Sequence, residues 1–350
     1  MFYKLLITYL LFSASLCLLA IIIILANSIK TMTTYLITGC AGFIGSHLAE
    51  KLLLEGNKVV GIDNFDPFYA REIKEKNLDF ALRDKNFSFY EVDLKNAEEM
   101  QNISQKIDIV IHLAAKAGVL PSIKDPISYI NDNILVTQNI LNYCQENSIS
   151  KFIFASSSSI YGNNKSVPFS EDDRVDEPIS VYAASKKSCE LLNYTAHHLY
   201  KMDVVNLRFF TVFGPRQRPD LAIHKFVKLI DTDQQINMYG DGSTGRDYTY
   251  IQDTVQGIVA ASKYVLQNNK IYEIVNLGNH QPIKLTQLIE TIEKVLHKKA
   301  NIKKMPMQPG DVDLTFANIE KAKTLFSYAP STSFEEGVSQ FVKWYNGQKS

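Results

Sequence analysis

Along most of the chain, short apolar runs alternate with longer amphipathic stretches, the pattern of buried strands separated by helices. Tyr35-Leu36-Ile37 is the first such run. After it, Ile44, Leu48, Leu52 and Leu53 recur at helical spacing until Gly56 ends the stretch. Val59-Val60-Gly61-Ile62-Asp63 predicts a second strand. A polar segment follows, helical from Glu72 to Leu82, and Phe87 to Asp93 alternates as a third strand. Asp108 to Ala115 reads as a fourth strand, Ile127 to Glu146 as a helix and Lys151 to Ala155 as a fifth strand. Strands that alternate with helices predict an α/β fold with a doubly wound parallel sheet. Ligands of such sheets bind outside the carboxyl ends of the strands, so residues there are the first candidates for chemistry.

The turn between the first strand and first helix is Thr38-Gly39-Cys40-Ala41-Gly42-Phe43-Ile44-Gly45. Glycines there allow a tight turn and a close backbone approach to a pyrophosphate, and the helix N-terminus offers N–H groups and a positive dipole end. Asp63 closes the second strand at about the distance expected of a ribose-binding acid. No basic residue follows it immediately, which favours NAD over NADP. The fold expected is therefore Rossmann-type. Its cofactor contacts are Gly39, Gly42, Phe43, Ile44, Gly45 and Asp63, with Asp93 and Leu94 at the adenine end. Leu113, Ala114 and Ala115 end the fourth strand, which runs into small residues where backbone can pass close to a dinucleotide.

Composition narrows the partners. The 37 basic and 37 acidic residues balance, which argues against a nucleic-acid partner. Basic residues gather locally at Arg216 and Arg218, pointing to a small anionic ligand. Cys17, Cys40, Cys144 and Cys189 are widely spaced, so neither a disulfide framework nor a zinc site is expected, and a reducing, cytoplasmic setting fits. His197 and His198 are adjacent on a helix and face different ways, so no metal site is expected from them.

The first 31 residues stand apart. From Leu5 to Asn27 there is no charged residue, a length that matches a membrane span of ~20 residues. The segment reads either as a membrane anchor that tethers the protein or as the product of an upstream start choice, with Met32 opening directly on the first strand. Residues 32–206 are expected to form the dinucleotide-binding domain. Residues 207–350 are expected to form mainly a substrate domain, with some segments returning to the first.

Catalytic chemistry is suggested by the helix that follows the fifth strand. Tyr182 and Lys186 are i and i+4 on one face. A lysine ammonium beside a phenol stabilises the phenolate and moves its pKa from ~10 toward neutrality, making a general base. The serine cluster Ser156 to Ser159 at the end of the fifth strand supplies a hydroxyl to share the proton path.

With these residues, the chain resembles the extended short-chain dehydrogenase/reductases, and more narrowly the NAD-dependent nucleotide-sugar 4-epimerases, from Met32 to Tyr345. The resemblance also rests on His112-Leu113-Ala114-Ala115, on Leu207 to Pro215, on Arg246-Asp247-Tyr248-Thr249-Tyr250-Ile251 and on Pro309-Gly310-Asp311. It implies a catalytic trio of Ser157, Tyr182 and Lys186, with the last two also touching NAD. It further implies Arg218 and Arg246 on the diphosphate of a UDP-sugar, Asp311 on the uridine ribose, Ser158 and Thr211 on the sugar, and a homodimer built through the helices near Ile134 to Cys144 and Tyr182 to Tyr200. The sister 4,6-dehydratases carry Thr-Asp-Glu where this chain has Ser157-Ser158-Ser159, and related decarboxylases also place a Glu there. Thr211 is similar to UDP-glucuronate 4-epimerases, whereas UDP-glucose 4-epimerases often have Asn. The uronate-type proteins tend to have Arg-Tyr after Ala-Gly-Val, where this chain has Leu120-Pro121. The activity implied first is UDP-glucuronate to UDP-galacturonate. UDP-glucose or UDP-N-acetylglucosamine 4-epimerisation comes second, ahead of a dehydratase, a decarboxylase or oxidoreductase, or a non-catalytic NAD-binding regulator.

Overall fold

Apolar side chains that alternate along each strand must be covered on both sides of a sheet, and here helices supply both covers. The computed structural model describes residues 32–306 and 313–349. The segment from Leu5 to Asn27 and Asp311 lie outside them. Among the described residues no helix is long and apolar enough to cross a membrane.

The main sheet is parallel and contains β1 (Thr34–Thr38), β2 (Lys58–Asp63), β3 (Phe87–Glu91), β4 (Ile109–His112), β5 (Lys151–Ser157), β6 (Asp203–Phe209) and β10 (Tyr272–Leu277), in the order β10-β6-β5-β4-β1-β2-β3. The sequence between the last two members holds β7 (Thr211–Phe213), β8 (Gln235–Tyr239) and β9 (Gly245–Tyr250). Later come β11 (Pro282–Lys284) and β12 (Asn301–Met305), which make a three-stranded sheet β11-β9-β7 and a pair β12-β8. The helices that matter to the site are α1 (Phe43–Leu54), α2 (Val136–Glu146), α3 (Val181–Tyr200) and α4 (Ile251–Gln267). Tyr35 and Ile37 face a core shared with Leu48 and Leu52 of α1 and Ile258 of α4. Leu36, Val110, Phe152 and Phe154 face the other core with Ile140, Leu141 and Cys144 of α2.

Four boundaries differ from the sequence reading, each for a local reason. The third strand stops at Glu91: Glu99 takes the Asp93 N–H at 3.2 Å and Asn96 N–H returns to Asp93 O at 2.8 Å, which turns Asp93 out of the sheet. The fourth strand stops at His112 because the Thr38 hydroxyl accepts the Leu113 and Ala114 N–H groups, at 3.2 and 3.1 Å. The fifth runs two residues further, so Ser157 ends the strand and caps the 3-10 turn Ser158–Tyr161. The expected helix from Ile127 to Glu146 contains a π segment at Ile130–Leu135 before α2. This wider turn carries Asn133, whose side chain bonds both the N–H and the C=O of Lys116, at 2.8 and 3.0 Å, and Ser185 Oγ at 2.9 Å. Such segments often occur at functional sites.

Candidate active site

A cavity of about 620 Å³ opens at the carboxyl ends of the sheet strands, within the size range of small-molecule sites. At one end lies the glycine turn. Gly39 has φ +71°, and a Cβ there would stand 2.9 Å from the Ala114 backbone. A Cβ on Gly45 would stand 2.2 Å from Gly39 O, so the third glycine lets α1 close onto the turn. Gly42 begins α1 with no side-chain cap, and Phe43, Ile44 and Gly45, which carry the first-turn N–H groups, line the cavity.

Asp63 ends β2 beside this turn. One carboxylate oxygen accepts the Ala41 N–H at 3.1 Å and the other the Phe65 N–H at 2.9 Å. Burial raises its pKa, opposed by the Lys74 ammonium and by those two N–H groups. No basic residue follows Asp63 immediately in sequence, but the fold brings Lys74 beside it. It is buried, lies 3.9 Å from Asp63, donates to Asp66 O at 2.9 Å and lines the same cavity. It lies eleven positions after Asp63, in a charge-rich helix, and nothing in that pattern singles it out. Asp93 and Leu94 line the cavity as well, with the Asp93 carboxylate 3.5 Å from Lys95.

Thr38 and His112 fix the place where the chain crosses from β4 into Leu113, Ala114 and Ala115. The Thr38 oxygen already accepts two N–H groups, so its proton points to His112 Nδ1 at 2.7 Å. The imidazole is then neutral, with its own proton on Nε2 toward Thr137 Oγ1 at 3.2 Å. Burial, with Lys186 nearby, pushes its pKa down to about 3.

At the other end stand Ser157, Ser158, Tyr182, Lys186, Thr211, Arg218 and Arg246, all lining the cavity. Ser180 caps α3 by accepting the Ala183 N–H, which places Tyr182 and Lys186 in the first turns. Helical spacing sets the Lys186 ammonium on the face of the Tyr182 phenol, and the structure shows where one of its N–H groups goes. Lys186 Nζ donates to Ala155 O at 2.7 Å, and its burial pushes its pKa down to about 8. Burial raises the Tyr182 pKa, while the Ser157 hydroxyl and the Arg218 guanidinium pull it the other way. Ser157 Oγ accepts both the Ser159 O–H at 2.9 Å and the Ser159 N–H at 3.2 Å. Its own proton is therefore free to point at Tyr182. The Tyr129 ring meets Tyr182 edge-on at 6.1 Å, and its hydroxyl donates to Ala117 O at 3.2 Å.

The two arginines of the Pro215–Asp220 turn part company. Arg218 lines the cavity, forks onto Asp220 at 3.0 and 2.8 Å and stacks over Phe68. Arg216 turns to Glu50 on α1, at 2.6 Å, and does not line the cavity. His197 bonds Met202 O and His198 is exposed.

A family model described as GDP-mannose 4,6 dehydratase matches residues 36–341. The chain belongs to that family. The family includes 4-epimerases among this chain's relatives, as the motifs had implied. The chain is 43% identical to a UDP-glucuronate 4-epimerase of Thermodesulfobacterium geofontis, with 89% of this chain and 96% of that one covered. The UDP-glucuronic acid 4-epimerase from Bacillus cereus, solved in complex with UDP-glucuronic acid and NAD, is 37% identical, with a TM-score of 0.84 and coverage of 90% and 100%. A UDP-N-acetylglucosamine 4-epimerase from Methanobrevibacter ruminantium, in complex with UDP-N-acetylmuramic acid, is 33% identical, with a TM-score of 0.82 and coverage of 91% and 99%. Within the family, the serines at 158 and 159 matter because no carboxylate stands there to serve an elimination.

Proposed function

We propose that this chain is an NAD-dependent UDP-sugar 4-epimerase that interconverts UDP-glucuronate and UDP-galacturonate. The observation that carries this reading is the serine chain on Ser157, aimed at Tyr182 and lacking the acid pair of the dehydratases, in one cavity with an uncapped glycine turn. The turn fits a dinucleotide, since it leaves room where Cβ atoms would intrude and offers N–H groups to a pyrophosphate. NAD, when bound, supplies a reversible hydride acceptor for C4 of the sugar. Its positive ring would lower the Tyr182 pKa, against the burial that raises it. Tyr182, as a phenolate that accepts a hydrogen bond from Ser157, itself fed by Ser159, takes the C4 hydroxyl proton and becomes the neutral phenol. Lys186 holds the end of β5 through Ala155 O. The 4-keto sugar turns in the cavity to present its other face, where C4 takes the hydride back, and Tyr182 returns the proton to the C4 oxygen.

Gly39, Gly42, Phe43, Ile44, Gly45, Asp63, Asp93, Leu94 and the stretch Leu113 to Ala115 hold NAD in this reading. Ser158, Thr211, Arg218, Arg246 and Asp311 hold the UDP-sugar. Residues 32–206 form mainly the cofactor domain and residues 207–350 mainly the substrate domain. A second copy of the chain covers the apolar side chains that α3 and the preceding helices expose: Leu191 at 57%, Tyr194 at 52%, Leu199 at 58% and Leu135 at 44%. One observation favours UDP-glucose or UDP-N-acetylglucosamine instead. Leu120 lines the cavity where uronate-type relatives tend to have Arg.

Purified protein incubated with these three UDP-sugars, with the products separated, tests the reading. Formation of UDP-galacturonate without release of reduced cofactor is expected. Tyr182→Phe should lower turnover by about 10³-fold, within the 10²–10⁴ range of acid–base catalysis. Unchanged turnover in that variant would remove the catalytic assignment.

A further inference from the structure

Behind the active site lies a buried polar network that the reaction as described does not use. Arg208 of β6 and Glu190 of α3 are each about 1% exposed. They meet fork to fork, Nε to Oε1 at 3.0 Å and Nη2 to Oε2 at 2.9 Å. A buried pair of this kind is weak evidence for stability, because well-packed apolar residues often serve as well. Its remaining bonds show what else it holds. Ser156 Oγ donates to Glu190 Oε1 at 2.6 Å. Arg208 Nη1 donates to the Tyr161 hydroxyl at 2.9 Å, which donates to Asn276 Oδ1 at 2.7 Å.

Ser156 immediately precedes Ser157, and Tyr161 closes the short turn that follows it, so both flanks of Ser157 hang on one ion pair. Glu190 also sits one helical turn after Lys186 on α3. Lys186 bonds Ala155 O and Glu190 bonds the Ser156 side chain, so two bonds from one helix face bracket the peptide between residues 155 and 156.

We propose that Glu190 and Arg208 are positioning residues of the epimerisation, which lock α3 against the end of β5 through Ser156 and so set the approach of the Ser157 hydroxyl to Tyr182. The inference rests on the function proposed above. A displacement of about 1 Å at such a contact costs up to about 10²-fold in rate.

Ser156→Ala removes one strut and leaves the ion pair whole, so it tests the idea without emptying the core. It is expected to lower kcat about tenfold, with KM for the UDP-sugar and bound NAD unchanged. In a Ser157→Ala background the same change should cost less than about twofold, because the group it positions is gone. Glu190→Gln should lower kcat further, again without raising KM. Equal losses from Ser156→Ala in both backgrounds, or a kcat that neither Ser156→Ala nor Glu190→Gln moves, would overturn the positioning role while the function stands. A wild-type protein inactive on every UDP-sugar would instead overturn the function, and this inference with it.

Discussion

At one end of the cavity the wall is main chain, where Gly39 crosses Ala114, Gly45 closes on Gly39 and Asp63 pins Ala41. At the other end the wall is side chains, with Ser157, Tyr182, Thr211, Arg218 and Arg246 arriving from five separate segments. The first is a shape that any intrusion destroys. The second is a set of groups that can be removed singly, each with a graded loss. Changes at the two ends should therefore separate cofactor content from turnover.

The largest effect is expected from Gly45→Val. Its Cβ alone would lie 2.2 Å from Gly39 O and 2.8 Å from Cys40 Cα, so the turn must open. The purified variant should carry no nicotinamide nucleotide, measured after denaturing release, and should be inactive. NAD retained at the wild-type level would mean that the glycine turn is not what holds the cofactor.

Ser157→Ala tests the opposite end. Its loss should be about 10²-fold in kcat, with bound NAD unchanged. A fall in NAD content to match would erase the distinction between the two ends.

The same division explains what could be read from the chain. The glycines, Asp63, Tyr182 and Lys186 are local patterns, spaced by turns and helical periodicity that a sequence displays. Glu190 and Arg208 pair across 18 residues, Asn133 and Ser185 across 52, and Tyr161 and Asn276 across 115. No spacing rule reaches that far. Arg216 and Arg218 look equivalent in sequence, yet Arg216 has φ +64° and its side chain turns to α1. Helical spacing places Lys186 on the face of Tyr182, but nothing in that spacing shows that its Nζ also donates to the Ala155 carbonyl.

Arg218 sharpens the comparison at a smaller scale. Its Nε and Nη2 are engaged by Asp220 beside the cavity, and a diphosphate held there, as proposed, would compete with that carboxylate for this edge of the guanidinium. Arg218→Ala should raise KM for the UDP-sugar about tenfold, and Asp220→Ala should lower it about twofold, both with NAD content unchanged. If both variants raise KM equally, Asp220 orients the guanidinium rather than competing for it.

The smallest effect concerns the main-chain end, and it is read in stability. His112 is held neutral in the fold, its pKa lowered to about 3 by burial with Lys186 nearby, and in that state Thr38 gives its only proton to Nδ1 while accepting the N–H groups of Leu113 and Ala114. In the unfolded chain the same imidazole titrates near 6.5. Between those values the unfolded state holds the extra proton, so stability must rise with pH through the window and fall as acid is added. His47 adds to the same limb, since burial and Arg216 lower it to about 4. Denaturant midpoints of His112→Gln measured from pH 7 down to 4 should lose about one proton of this dependence, roughly 1.4 kcal/mol per pH unit. An unchanged slope would show that His112 carries charge in the fold. Thr38 would then not be donating to it, and the crossing at Leu113 and Ala114 would need another support.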